Sequence, residues 1–269
     1  MLFDALDKSR FLARPVRLFE FFYQNEVWRF ASSNRIETTP GGVVWYPEQI
    51  ERDEVRITSE KAKDKLTIRM PYLLDPFAPL DALPATQPIG DLWRPYLPSG
   101  IVRVALYDWL VGADDGPKQV WSGHARQPEF GDVQMELTCF PGGMKGEMQG
   151  QGLVAQHGCP KLPYSTGIRG CNLDPLDYEI AATVATVAGV VLTSPAFASS
   201  TFSLRNGLFR WTRAVTRQDG TPTTREEHRR ITHHADDTIH LSAPGIGLVD
   251  GMSAIVRPHC EGTRAACDF

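Results

Sequence analysis

Long apolar runs are missing from this chain. None approaches the roughly eighteen consecutive residues that a membrane-crossing helix needs. The best stretch, "IAATVATVAGVVL", is shorter and is interrupted by Thr and Gly. The opening "MLFDALDKSRFLARP" mixes acids with bases and has no apolar core, so no signal peptide and no membrane anchor are expected. Charge of one sign is also missing: 28 basic residues face 32 acidic ones, a net −4. That balance argues against a protein built to bind nucleic acid. It suits a surface that DNA passes without sticking. Cysteine is scarce, five in 269 residues, and the odd count in a chain made in a reducing cytoplasm speaks against a disulfide framework. No Gly-rich phosphate loop, nucleophile elbow or His-containing metalloprotease motif occurs, so no enzyme is expected. Internal repeats and low-complexity tracts are lacking too.

What the sequence does have is strand patterning. Hydrophobic residues make up 42%, enough for a buried core. Leu2, Phe3, Leu6 and Phe11 share one face of a short N-terminal helix that Pro15 ends. "PVRLFEFFYQNEVWRFAS" reads as a hairpin turning at "QNE", with Val16, Leu18, Glu20 and Phe22 on one phase. Leu66, Ile68 and Met70 alternate with Thr67 and Arg69 in a further strand. Repeated prolines between residues 73 and 99 predict a loop with at most one helical turn. Three more strands follow in "GIVRVALYDWLVG", "KQVWSGHARQPEF" and "DVQMELTCF". Residues 1–150 thus read as a β-barrel-like domain. Residues 151–269 read as a smaller C-terminal β unit, with strands in "YEIAATVATVAGVVLTS", "GLFRWTRAVT", "EEHRRITHH", "TIHLSA" and "SAIVRP". The expected class is mainly β.

Four of the five cysteines fall in two pairs. Cys159 and Cys171 enclose eleven residues, and Cys260 and Cys267 enclose six. Both loops are rich in turn residues (Pro160, Pro163, Gly167, Gly170, Gly262) and lie beside Lys161, Arg169, Arg257 and Arg264. Buried core cysteines rarely keep such company. A disulfide pair suits the even count but not the compartment. Zinc favours shorter Cys spacings, although His157 and His259 stand close enough to contribute. An iron–sulfur cluster tolerates wide spacing, and the neighbouring cations would steady its thiolates. Chemistry alone leaves iron–sulfur and zinc nearly even. Cys139 ends an alternating strand and reads as core.

Other candidates read as structure. On a strand, His233 and His234 of "EEHRRITHH" point to opposite faces, which explains the run as exposed polar positions better than as a metal site. Asp114 and Asp115 in "GADDGP" suit a hairpin turn, and Asp108 beside Trp109 forms no convincing carboxylate site. Trp93 and Tyr96, inside the Pro-rich loop, suit either a partner contact or a flap over their own domain.

"RPVRLFEFFYQNEVWRFASSNRIET" with "WYPEQIERDEV", "CPKLPYSTGIRGCNLD" leading into "YEIAATVATVAGVVLTSPAF", and the closing "GMSAIVRPHCEGTRAAC" together resemble the tail hub proteins of phages. That group includes the iron–sulfur hub proteins of gene transfer agents and, more distantly, tail tip protein L of phage lambda. The resemblance implies that Cys159, Cys171, Cys260 and Cys267 ligate one [4Fe–4S] cluster, against the alternative of zinc. It implies a virion structural protein, a homotrimeric ring at the tail tip that is assembled in the host cytoplasm. Its partners would be a distal tail protein, a central fibre or receptor-binding assembly and the tape measure protein, with DNA passing through the lumen. Many members continue past the last cysteine with a Phe- and Pro-containing tail, whereas this chain stops at Phe269. A redox protein or a zinc-stabilised binding module using the same four sulfurs are the alternatives.

Overall fold

The computed structural model describes residues 14–55, 65–112, 115–142, 164–167 and 171–259. The expected N-terminal helix lies outside them. Two compact units are present: Met1–Met148 with Thr216–Thr221, and Gln149–Val215 with Pro222–Phe269. Among the described residues strands dominate, and the helices are single turns.

The first unit is a curled ten-stranded sheet. Its strands are β1 (Pro15–Tyr23), β2 (Glu26–Ala31), β3 (Glu37–Thr38), β4 (Val44–Pro47), β5 (Glu51–Arg52), β6 (Leu66–Pro71), β7 (Arg103–Leu110), β8 (Lys118–Ala125), β9 (Glu129–Phe130) and β10 (Gln134–Pro141). The hydrogen-bonded order is β3-β4-β2-β1-β7-β8-β10-β6-β5, with β9 paired to β10. Pairing of Tyr23 with Glu26 leaves a two-residue turn, in which Gln24 takes a φ of 52°.

β1 is covered on both faces, which explains its near-continuous apolar run. Phe19, Phe21 and Tyr23 enter the main core with Trp28, Phe30, Ile68 and Leu137. Val16 and Leu18 face the other way, into a small cluster with Ala31, Trp45 and Trp109. Glu20, on that second face, is buried but satisfied. It accepts from Arg29 Nε at 2.7 Å and from the Tyr107 hydroxyl at 3.0 Å. A buried carboxylate survives only with such partners.

The Pro-rich segment folds down onto this core. A helical turn at Gln87–Gly90 runs into a 3-10 turn at Asp91–Trp93, and Ile89, Leu92 and Trp93 are buried. Trp93 is therefore part of a flap over its own unit, while Tyr96 stays half-buried. Anchors hold the flap at its base. The Gln87 amide bonds both Leu73 N–H (3.0 Å) and Leu73 O (3.0 Å), and the Tyr72 hydroxyl donates to Asp91 at 2.9 Å. Burial, and then the neighbouring Asp91 carboxylate, push the Tyr72 phenol up to about 12, so it remains a donor at any physiological pH. The tip Thr216–Thr221 also counts with this unit, where the Gln218 side chain bonds both Arg29 N–H (2.7 Å) and Arg29 O (3.2 Å).

The second unit is a seven-stranded sheet of β11 (Ile180–Thr183), β12 (Thr186–Ala188), β13 (Val191–Thr193), β14 (Leu208–Thr216), β15 (Pro222–Ala235), β16 (Thr238–Leu241) and β17 (Ser253–Arg257). Their order is β11-β17-β14-β15-β16-β13-β12. The single strand expected over "YEIAATVATVAGVVLTS" is thus corrected to three. Gly189, at φ +65°, turns β12 back onto β13, a left-handed conformation that Gly adopts without strain. Val184 and Ala185 change allegiance: Val184 N–H donates to Met252 O, and Ala185 N–H donates to Thr193 O. The first and last strands of the order are therefore neighbours in sequence. Inside lie Phe197, Phe209, Trp211, Ile231, Ile239 and Val256.

Candidate metal centre

Of the four cysteines assigned by resemblance, Cys171 is described, and Cys159, Cys260 and Cys267 lie outside the described residues. Cys171 carries a half-buried free thiol. Its backbone N–H donates to Ser165 Oγ at 3.0 Å, and Asn172 N–H donates to Ser165 O at 2.7 Å. The Asn172 amide then clasps Gly167 from both sides, accepting from its N–H (2.9 Å) and donating to its carbonyl (3.0 Å). Such a lace needs backbone in the left-handed region, and Asn172 (φ 59°) and Gly167 (φ 105°) are residue types that tolerate it.

The same short stretch reaches the end of β17. Tyr164, seven residues before Cys171 and five after Cys159, donates its hydroxyl to Pro258 O at 2.8 Å. Pro258 is two residues before Cys260. The Arg257 guanidinium lies over the Tyr164 ring, 5.5 Å from its centroid, and pairs with Glu179. Glu179 also accepts from Arg210 at 2.7 Å. Tyr178, at the end of a 3-10 turn that Asp174 caps, packs against both Tyr164 (6.0 Å) and Phe202 (5.8 Å). These contacts hold the turn at Tyr164 and the residues around Glu179 against the end of β17. Tyr164→Phe removes one part-buried hydrogen bond at their junction, and a loss of about 1 kcal/mol in the stability of this unit is expected by denaturant titration. An unchanged midpoint would show the two segments held without it.

The guanidinium of Arg257, one of the four cations expected to steady thiolates, is engaged by Glu179 and by the face of Tyr164. Its role here is to fix β17 against the loop. Lys161, Arg169, Arg264 and His157 lie outside the described residues, and His259 is exposed.

Cys139 is fully buried, and burial pushes its thiol up, so it stays protonated as a core residue. Asp108 pairs with Arg52 at 3.2 Å, and Asp115 is exposed beside Gly116. His233 and His234 do face opposite sides. His234 turns inward, where its Nδ1 accepts from Leu204 N–H (3.2 Å) and its Nε2 donates to Phe197 O (3.2 Å). Among the described residues no group of three or more His, Cys, Asp or Glu side chains converges on one point. An open groove of about 500 Å³ beside Arg210, Thr212, Ser253 and Ile255 offers one ion pair, Arg210–Glu226 at 3.7 Å. No described helix is long and apolar enough to cross a membrane.

No known protein-family model matches the chain. An uncharacterized protein of Xylella fastidiosa (strain 9a5c) is 43% identical to it over 185 residues, which are 69% of this chain. The chain spans 38% of the length of that relative. Among solved structures, a chain of the "Virion of native gene transfer agent (GTA) particle" shares the fold. It has a TM-score of 0.67 and 15% identity, and the match covers 99% of this chain and 86% of that one.

Proposed function

We propose that this protein is a structural component of a phage-like tail tip, a hub ring between the tail tube and the receptor-binding assembly. In this reading Cys159, Cys171, Cys260 and Cys267 hold one [4Fe–4S] cluster as a structural staple. The observation that carries the role is the fold shared with a gene transfer agent particle along 99% of the chain. The observation that favours one shared sulfur centre is the Tyr164–Pro258 bond, which draws the first cysteine loop to the residues preceding Cys260. Cys171 suits a ligand position, being a partly accessible thiol in a turn of fixed backbone. When bound, such a cluster supplies four sulfur–metal bonds that cross-link distant points of the chain. The chain's own residues do the rest: Asn172 fixes the loop, Tyr164 docks it, and the Glu179–Arg257 pair holds β17 beside it.

A mildly acidic chain, net −4, suits a wall passed by DNA. The ring is read as a homotrimer that contacts a distal tail protein, a central fibre and the tape measure protein within the virion. Iron, acid-labile sulfide and native mass, measured on anaerobically purified protein, test the proposal together. About four irons and four sulfides per chain in a trimer are expected. Stoichiometric zinc without sulfide would replace the cluster by a zinc site. Reversible reduction coupled to turnover of a substrate would overturn the structural role.

A further inference from the structure

The β15–β16 hairpin carries a feature that the four-cysteine reading does not use. Its register pairs Ala235 with Thr238, His234 with Ile239 and His233 with His240, and then slips, so that Ile231 opposes Leu241. Thr232 is the extra residue of a β-bulge. Before it, Arg225, Glu227, Arg229 and Ile231 alternate inward. Without the bulge His233 would share their face, because side chains two apart in a strand point the same way. The inserted residue reverses the phase: His233 emerges into solvent directly opposite His240, and His234 turns to the core side. Thr232 pins the irregularity by donating its hydroxyl to His240 O at 3.1 Å. Bulges that re-aim one side chain are common beside functional sites.

The two rings stand 5.2 Å apart, centroid to centroid, at 68°. Imidazole nitrogen binds zinc at about 2.0–2.1 Å, and the ring centroid lies roughly 1.1 Å beyond, so each centroid is about 3.1 Å from the metal. At a tetrahedral angle two such rings have centroids about 5.1 Å apart. The observed separation is close to that value. Across the sheet the same row continues through Val191 and Ala188, neither of which brings a positive charge.

We propose that His233 and His240 form a two-imidazole site for a divalent transition-metal ion of the zinc class, with water completing the coordination. The site uses none of the four cysteines. A T-shaped aromatic contact alone would need the ring faces and not the nitrogens, and this difference is what the test reads. Full-length protein, carrying whatever metal it is purified with, is dialysed against Zn²⁺ over a concentration series. His233→Asn and His240→Asn proteins are treated alike. One further zinc per chain is expected in the wild type. Each variant should lose it, with about 10²-fold weaker binding once the second arm of the chelate is gone. The as-purified metal content should stay unchanged, because the cysteines are untouched. The unfolding midpoint without added metal checks that both variants fold. No additional zinc in the wild type, or equal uptake by folded variants, would overturn the site. A variant that lost its as-purified metal while keeping the added zinc would count against it equally.

Discussion

Cys260→Ser protein is expected to lose on the order of 4–5 kcal/mol of stability in its second unit and most of its bound iron. The argument is one of chain entropy. Joining Cys171 to Cys260 through a shared centre closes a loop that contains all seven strands of the second sheet, and a closed loop of that length leaves the unfolded chain far fewer conformations. The hydrophobic core of this unit is compact, built around Phe197, Phe209, Trp211 and Val256, so a cross-link of that size is a large share of its total stability. Trp211 is buried here, while the other tryptophans belong to the first unit, so the change in unfolding that Trp211→Phe removes reports this unit alone. A Cys260→Ser protein that unfolds at the wild-type denaturant concentration, with its iron intact, would rule out the staple.

In the first unit the largest effect is expected from Gly123→Ala. A Cβ at this position of β8 would stand 2.0 Å from Phe140 O, 2.4 Å from the Trp121 ring and 2.8 Å from Phe140 C. Two of these atoms are backbone of β10, which pairs with β8 through Cys139–Ala125, Phe140–His124 and Pro141–Gly123. Neither strand can yield without breaking that ladder. A loss of about 3 kcal/mol or more is expected by denaturant unfolding. Gly41→Ala serves as the control: its Cβ meets nothing within 4 Å, and a change within about 0.5 kcal/mol is expected there. Equal stability of the two variants would show that β8 and β10 are not held as close as described.

Most strands were legible because their chemistry is local. Alternation marks Leu66, Ile68 and Met70, and the "QNE" turn marks the first hairpin; both need only neighbours along the chain. Trp93 was ambiguous, since a Pro-rich loop has the same composition whether it covers its own core or a partner. The "YEIAATVATVAGVVLTS" segment read as one strand because its Ile, Val and Thr favour extended backbone, yet Gly189 and the hand-over at Val184–Ala185 divide it. The bulge at Thr232 left no mark either, because one inserted residue changes the phase of a strand and not its composition. The return of Thr216–Thr221 to the first unit likewise rests on Gln218 meeting Arg29, residues far apart in the chain.

Composition and periodicity by themselves determined that this is a mainly β chain, and the spacing of its cysteines singled out two loops as chemically unusual. Tertiary structure decided what stands beside what. It placed Tyr164 against Pro258, Arg257 with Glu179 and His233 opposite His240. The physical reason is one of range: strand-forming preference acts over two or three residues, whereas a site is made by residues that only the pairing of distant strands brings within a few ångströms.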